Sequence, residues 1–212
     1  MRVGEIVTAA DGAGRWRVYR AEDVGKGSVT LVANAGVQTE PILTPALAVA
    51  FALTKNEKPE TVVARLTELG VDRIAPLLAR RSVMRWDDTR ARTATERLER
   101  AAREAAMQSR RARLPAVEVP AALEAIAGSP GVVVADADGD RADALPNPGP
   151  AGWLLVVGPE GGLDDAELEA LAAAPRLRLS PHILRAETAA VAGAAALMAR
   201  RSVGHPGRGH GG

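Results

Sequence analysis

Residues Trp153 to Val157, WLLVV, form an apolar run that stops at Gly158-Pro159-Glu160-Gly161-Gly162. A run of that length bounded by glycine and proline predicts a buried strand closed by a tight turn. Beyond it Leu163, Leu168 and Leu171 recur at helical spacing, and Asp164, Asp165 and Glu167 place negative charge in the first helical turn, where the dipole favours it. Three glycines in five residues let a backbone lie flush against a flat ligand, since no Cβ intervenes. The loop has neither the GxGxxG spacing nor the Gly-Lys-Ser/Thr of a Walker A loop. On spacing alone, a plain strand-to-helix turn and a ligand loop both stand.

Upstream, Leu47 to Leu53 is a second apolar run, followed by Val62, Val63, Leu66 and Leu69 at helical spacing, with Gly70 as C-cap. Strands are predicted at Arg73–Leu78, Val132–Ala135 and Arg176–Leu179, and a final Ala-rich helix at Glu187–Met198. Such alternation predicts an α/β fold around a parallel sheet. Residues 1–50 differ. Short alternating segments at Glu5–Ala9, Trp16–Tyr19 and Ser28–Ala33, separated by Asp11-Gly12-Ala13-Gly14 and Gly25-Lys26-Gly27, predict β-strands joined by turns.

Aromatic residues are 2% of the 212, so the core must be built from Ala, Val and Leu. There is no cysteine, which removes disulfides, thiolate metal sites and Cys nucleophiles; of the three histidines, two lie in the Gly204–Gly212 tail, which argues against structural zinc. Asp136, Asp138, Asp140 and Asp143 lie in a Pro/Gly-rich stretch, but the glutamate and flanking helices of a calcium loop are missing, so Asp136–Pro150 is predicted to be a solvated loop. No metal is expected. The chain lacks an eighteen-residue apolar run and a signal-peptide core, giving a cytoplasmic expectation with no membrane partner.

The net charge of +1 hides strong segregation. Residues 80–113 hold eleven arginines against five acids, and residues 118–169 hold eleven acids against Arg141 alone. A basic segment on a near-neutral chain points to a phosphate-bearing partner. Ala94, Leu98, Ala101, Ala102 and Ala105 form the buried stripe of one helix; the Arg and Glu spaced three or four apart along it also suit a plain solvated face. Arg80, Arg81, Arg110, Arg111 and Arg113 are the RNA-binding candidates, the last three because they lack such acid neighbours. The tail GHPGRGHGG is expected to be disordered.

VGPEGG, followed by LSPHILRAETA from Leu179, resembles the RsmE-type 16S rRNA methyltransferases of the SPOUT class. LTELGVDRIAPLLARRSV and EAAMQSRRARLP are similar to further blocks of the same family, so the resemblance spans Leu47 to Leu197. It implies an α/β C-terminal domain with a deep trefoil knot (residues 46–203) behind a small PUA-like β-barrel that grips RNA (residues 1–45), then a tail (204–212). Family members carry residues upstream of the segment like Arg2-Val3-Gly4-Glu5, so the first domain is expected to be N-terminally incomplete, with an exposed strand edge.

The implied activity is S-adenosylmethionine-dependent methylation of N3 of a uridine in 16S rRNA of the small ribosomal subunit, by a homodimer with the Ala-rich helix in its interface. Backbone groups of Val157, Gly158, Gly161, Gly162, Leu179, Ile183 and Leu184 would read the cofactor, Pro159, Glu160, Ser180 and His182 complete the cofactor-binding set on the same loops, and Leu155, Ile183 and Leu184 cover the adenine. Arg185 is the expected catalytic cation and Glu187 its partner or the proton acceptor, with Glu160 third; helix capping by Glu187 is the plainer alternative. Ser180 and His182 depart from the family's Gly and Arg. A non-catalytic ribosome- or RNA-binding module of the same fold, or a SPOUT enzyme acting on a different RNA, are the alternatives.

Overall fold

The computed structural model describes residues 1–54, 58–81 and 88–203, so Arg85, Trp86 and the Gly204–Gly212 tail lie outside the described residues. Six strands form the central sheet: β6 (Leu47–Ala52), β7 (Arg73–Leu77), β8 (Ala116–Val117), β9 (Val132–Asp140), β10 (Trp153–Val157) and β11 (Arg176–Leu177). They run parallel in the order β11-β9-β10-β6-β7-β8. Helices α1 (Pro59–Glu68), α2 (Asp88–Ser109), α3 (Glu124–Ala127), α4 (Asp165–Ala170) and α5 (Ala186–Met198) connect and cover it.

A sheet covered on both faces needs strands that are apolar throughout rather than alternating, and β6 and β10 are buried along their whole length. Leu47, Val49 and Phe51 of β6, with Trp153, Leu155 and Val157 of β10, face α1, α2 and α5. Ala48 and Ala50 with Leu154 and Val156 join a second cluster that includes Leu123 and Ile126, at the start of α3 and within it, and Leu163 and Leu171, which flank α4. Long side chains pack under the long helices, and the face with small residues takes the short ones. On α2 the stripe is Ala91, Thr95, Leu98, Ala102, Ala105 and Ala106; Ala94 and Ala101 flank it, half-buried.

One expectation fails in an informative way. The aspartate-rich segment begins as strand: β9 continues through Asp140, and only residues beyond it are irregular, with one 3-10 turn at Ala142–Ala144. Pairing with β11 is responsible. Val134 faces Arg176 and Asp140 faces Leu177, so residues 135–139 bulge between two fixed points. Asp136 pairs there with Arg176.

The N-terminal residues form a separate antiparallel sheet of β1 (Ile6–Ala10), β2 (Arg15–Val24), β3 (Val29–Ala33) and β4 (Gln38–Thr39), with β2 pairing to the other three. Among the described residues it is an open four-stranded sheet, and β1 pairs on one side only. Strand β5 (Leu43–Thr44) pairs with β12 (Ser202–Val203), bringing the end of the described chain to the entry of the large unit. Arg201 completes that junction. Its side chain is 1% exposed and donates to the Leu43 carbonyl, the Gly70 carbonyl and Asp72 Oδ2 at 2.8, 3.0 and 2.6 Å.

Candidate functional site

Parallel strands all end on one side of their sheet, so the loops after β10 and β11 emerge at the same edge, the usual place for a ligand in an open α/β sheet. The loop after β10 is a turn in which the Gly162 N–H donates to the Pro159 carbonyl at 2.9 Å. Each glycine answers a different demand. Gly162 sits at φ +73, and a Cβ on Gly158 would come within 3.1 Å of Leu163. Gly161 answers neither: its φ is ordinary, and nothing lies within 4 Å of where its Cβ would stand. The chain's own packing therefore gives no reason for that missing side chain, and the open face beside it suits a flat ligand.

The exit from the loop is fixed by the capping box of α4. Asp164 Oδ1 accepts from the Glu167 N–H and Glu167 Oε2 accepts from the Asp164 N–H, both at 2.8 Å. Glu167 is fully buried, and its other oxygen accepts from the backbone N–H of Arg80 at 3.0 Å. The Arg80 side chain reaches Glu124 and lies 3.6 Å from Asp164, so these carboxylates, Glu124 foremost, raise its pKa. Arg81 donates to the Gly161 carbonyl at 3.2 Å. Both arginines of the pair expected to meet RNA thus engage the chain itself: Arg80 is held by two carboxylates and Arg81 by the glycine loop.

The second loop starts where the Arg178 N–H donates to the Asp140 carbonyl. Ser180 Oγ then accepts from the His182 N–H at 3.0 Å, a local turn that gives the serine a part its glycine counterpart could not play. Arg178, His182 and Arg185 are exposed, and Ile183 is 98% exposed. Leu184 is half-buried against the core. Arg185 is the N-cap of α5 in extended conformation without a side-chain cap, and Glu187, half-buried, lies in the first turn. A cleft of about 760 Å³ opens beside this loop, lined by Arg141, Asp143, Arg178, Ser180 and Pro181 among others, with Arg200 of the segment after α5 on its wall. Arg200 stacks on Trp153 and donates to the carbonyls of Ala142 and Leu145, tying this segment to the loop after β9.

Three further expectations need correction. Leu155 covers no ligand: it is fully buried and packed beneath Gly193 of α5, a core contact behind the loop. Arg111 is unavailable to phosphate. Its side chain is 8% exposed, donates to the Thr67 carbonyl at 2.9 Å and lies 3.9 Å from Asp72, and burial lowers its pKa. Arg113 is laid against the N-terminal sheet, its guanidinium occupying the place where a Cβ on Gly14 would stand. Of the five basic candidates only Arg110 is exposed without a partner among the described residues. Sequence reasoning placed Glu167 only as a first-turn charge and missed Asp72 and Arg201; the Asp164-x-x-Glu167 spacing was a readable signal for the capping role of the first, while the other two are joined across 129 residues.

A family model described as RNA methyltransferase domain matches residues 43–198. A ribosomal RNA small subunit methyltransferase E of Mycobacterium bovis is 34% identical over 201 residues, covering 90% of this chain and 76% of that protein. Its namesake in Bacillus subtilis is 36% identical over 155 residues, 66% of this chain and 60% of that one. Among solved structures, a Legionella pneumophila methyltransferase in complex with SAM superposes with a TM-score of 0.83 at 26% identity, over 94% of this chain and 85% of that one. A ribosomal RNA small subunit methyltransferase E from Neisseria gonorrhoeae bound to S-adenosyl methionine has the same TM-score and coverage at 22% identity, which speaks for the fold. With its α/β sheet, its glycine loop and relatives matched over nine-tenths of its length, the chain belongs to the ribosomal RNA small subunit methyltransferase E family of RNA methyltransferases.

Proposed function

We propose that this protein methylates N3 of a uridine in 16S rRNA of the small ribosomal subunit, using S-adenosylmethionine held between the loops after β10 and β11. The observation that carries the reading is Gly161, a glycine for which the fold has no use and beside which the chain leaves open space. When bound, the cofactor supplies an electrophilic methyl group. Backbone groups of Val157, Gly158, Gly161, Leu179, Ile183 and Leu184 would hold it. The peptide between Gly161 and Gly162 has its carbonyl taken by Arg81 and its N–H by Pro159, so Gly161 offers its own N–H rather than its carbonyl.

The uridine must lose its N3 proton as the N–CH3 bond forms, and negative charge grows on the flanking uracil oxygens. The exposed Arg185 guanidinium presents a planar fork to those oxygens or to a nearby phosphate. Glu187, in the first turn of α5 two residues after Arg185, accepts the proton or orients Arg185, with Glu160 and His182 as further polar groups on the two loops. Arg110, Arg178 and the N-terminal sheet of residues 1–45 contact RNA phosphates.

Two architectural proposals go with this. The segment from β11 through α5 passes beneath the loop after β9, giving a knot; the Arg178 to Asp140 bond and the grip of Arg200 on Ala142 and Leu145 support it. A second copy of the chain covers Ile183, whose near-complete exposure beside α5 supports a dimer there. Among the described residues no helix is long and apolar enough to cross a membrane.

The test is transfer of labelled methyl groups to small subunits that lack the modification, with the product base identified by mass spectrometry. N3-methyluridine at one position is expected, and Arg185→Ala should remove turnover while leaving cofactor binding intact. Absence of cofactor binding by the unaltered protein would instead favour a non-catalytic RNA-binding role.

A further inference from the structure

The glycine loop is held from an unexpected direction. Its strand, β10, neighbours β9 and β6, yet the residues that grip it come from the loop after β7, beyond β6. Two inter-strand spacings are about 10 Å, a gap no main-chain ladder closes and a long side chain can. Arg80 and Arg81 close it in two steps. The Arg80 backbone N–H donates to buried Glu167 and its guanidinium reaches Glu124 and Asp164, which pins the chain at this point to the start of α4. The next side chain, Arg81, is thereby aimed at the Gly161 carbonyl.

That carbonyl belongs to the one peptide in the turn whose other end, the Gly162 N–H, is also taken, by Pro159. A peptide plane hydrogen-bonded at both ends is held against rotation, which narrows the positions open to the preceding unit, the one that carries the Gly161 N–H. We infer that Arg81 is a positioning residue for the methyl donor, acting through the Gly161 peptide, with Arg80 as its anchor. This assignment rests on the reading of the glycine loop as the S-adenosylmethionine site. It takes Arg81 away from the RNA, where its place in the basic run would put it.

The two roles predict opposite kinetics. Replacing Arg81 by Ala removes one charge-assisted bond to a backbone carbonyl, and should weaken S-adenosylmethionine binding about tenfold. The Michaelis constant for the small subunit should stay unchanged and the melting temperature should hold to within ~2 °C. Arg81→Lys keeps a cationic donor and should recover most of the donor affinity. Calorimetry with S-adenosylmethionine, alongside separate titration of donor and small subunit in the transfer assay, reads all of these. Unchanged donor affinity in Arg81→Ala would overturn the assignment. So would a rise confined to the small-subunit Michaelis constant, the mark of a phosphate contact, or a loss that Arg81→Lys does not restore. Failure of the unaltered protein to bind S-adenosylmethionine would count against the site itself, a result separate from any difference between variants.

Discussion

Gly193 of α5 lies so close over Leu155 of β10 that a Cβ on the glycine would stand 2.5 Å from Leu155 Cδ2 and 3.4 Å from Leu179 Cδ1. One missing side chain thus seats the last helix on the strand that leads to the glycine loop, and beside Leu179 of the second loop. Leu155 is fully buried in a close-packed core and cannot step aside. Gly193→Val should cost about 2 kcal/mol through overpacking and lower the melting temperature by ~4–8 °C. A thermal melt checks this; a melt unchanged within 1 °C would mean that α5 sits further from the sheet.

Neighbouring glycines in the first loop should separate folding from binding. Gly161→Ala meets no atom and needs no unusual backbone, so its melting temperature should match the parent's while S-adenosylmethionine binding falls or vanishes. Gly162→Ala must adopt φ +73 and should lose roughly 1 kcal/mol of stability. Calorimetry and melting on the two variants together give the pattern; equal binding by Gly161→Ala and the parent would leave the open face without a ligand.

Arg110 and Arg111 are adjacent in sequence and opposite in circumstance. Arg110 has φ 59, and the bonds from Arg110 N–H to Met107 and from Arg111 N–H to Ala106 close α2 in a Schellman arrangement. That reversal turns Arg111 inward and leaves Arg110 in solvent. Glycine is the residue this position favours, so Arg110→Gly should gain about 1 kcal/mol. If Arg110 contacts RNA phosphate, the same variant should bind the small subunit more weakly, with the slope of log affinity against log salt reduced by about one ion. Higher stability with unchanged RNA affinity would remove Arg110 from the interface.

Asp11 closes the turn between β1 and β2 by accepting from Arg15 Nε, from the Ala13 N–H and from the Arg15 N–H. These bonds, the Arg15 side chain first, lower its pKa from 3.8 to about 2. A depressed folded-state value means that the contribution is fully present above the unfolded pKa near 4 and is lost as pH falls through about 2. The stability difference between the parent and Asp11→Asn should therefore shrink steadily as pH drops from 5 to 2. Acid titration followed by circular dichroism, with carboxyl resonances assigned to Asp11, measures it; a difference constant across that range would rule the linkage out.

What the sequence made legible and what it hid divide along the distance between interacting residues. Trp153–Val157 stands as read because an apolar run ending in glycine and proline is a local signal, and α5 starts one residue before its predicted start for the same reason. Asp136–Asp140 looked like solvated loop because its composition is that of a loop; Leu177, 37 residues on, makes it strand. The basic run was legible as charge but not as geometry. Arg80, Arg81 and Arg111 each find carboxylates or carbonyls far along the chain, and spacing carries no trace of those partners. In the glycine loop, the motif marked the place, while the division of labour among Gly158, Gly161 and Gly162 depends on backbone angles and on Leu163.

Arg201 gives the junction of β5 and β12 a consequence for how the molecule is made. Its guanidinium satisfies carbonyls at Leu43 and Gly70 and balances Asp72, all residues synthesised more than a hundred positions earlier. Until residues 201–203 have left the ribosome, the Leu43 and Gly70 carbonyls stand without this donor, Asp72 keeps only the Leu47 N–H and Arg111, and the floor of the large unit is not sealed. A nascent chain held on the ribosome by a linker long enough to clear the exit tunnel should stay open to protease at residues 43–72 when it ends before Arg201, and should close when residues 201–203 are included. The large unit is therefore latched only when β12 arrives, and a product stalled before β12 stays unlatched.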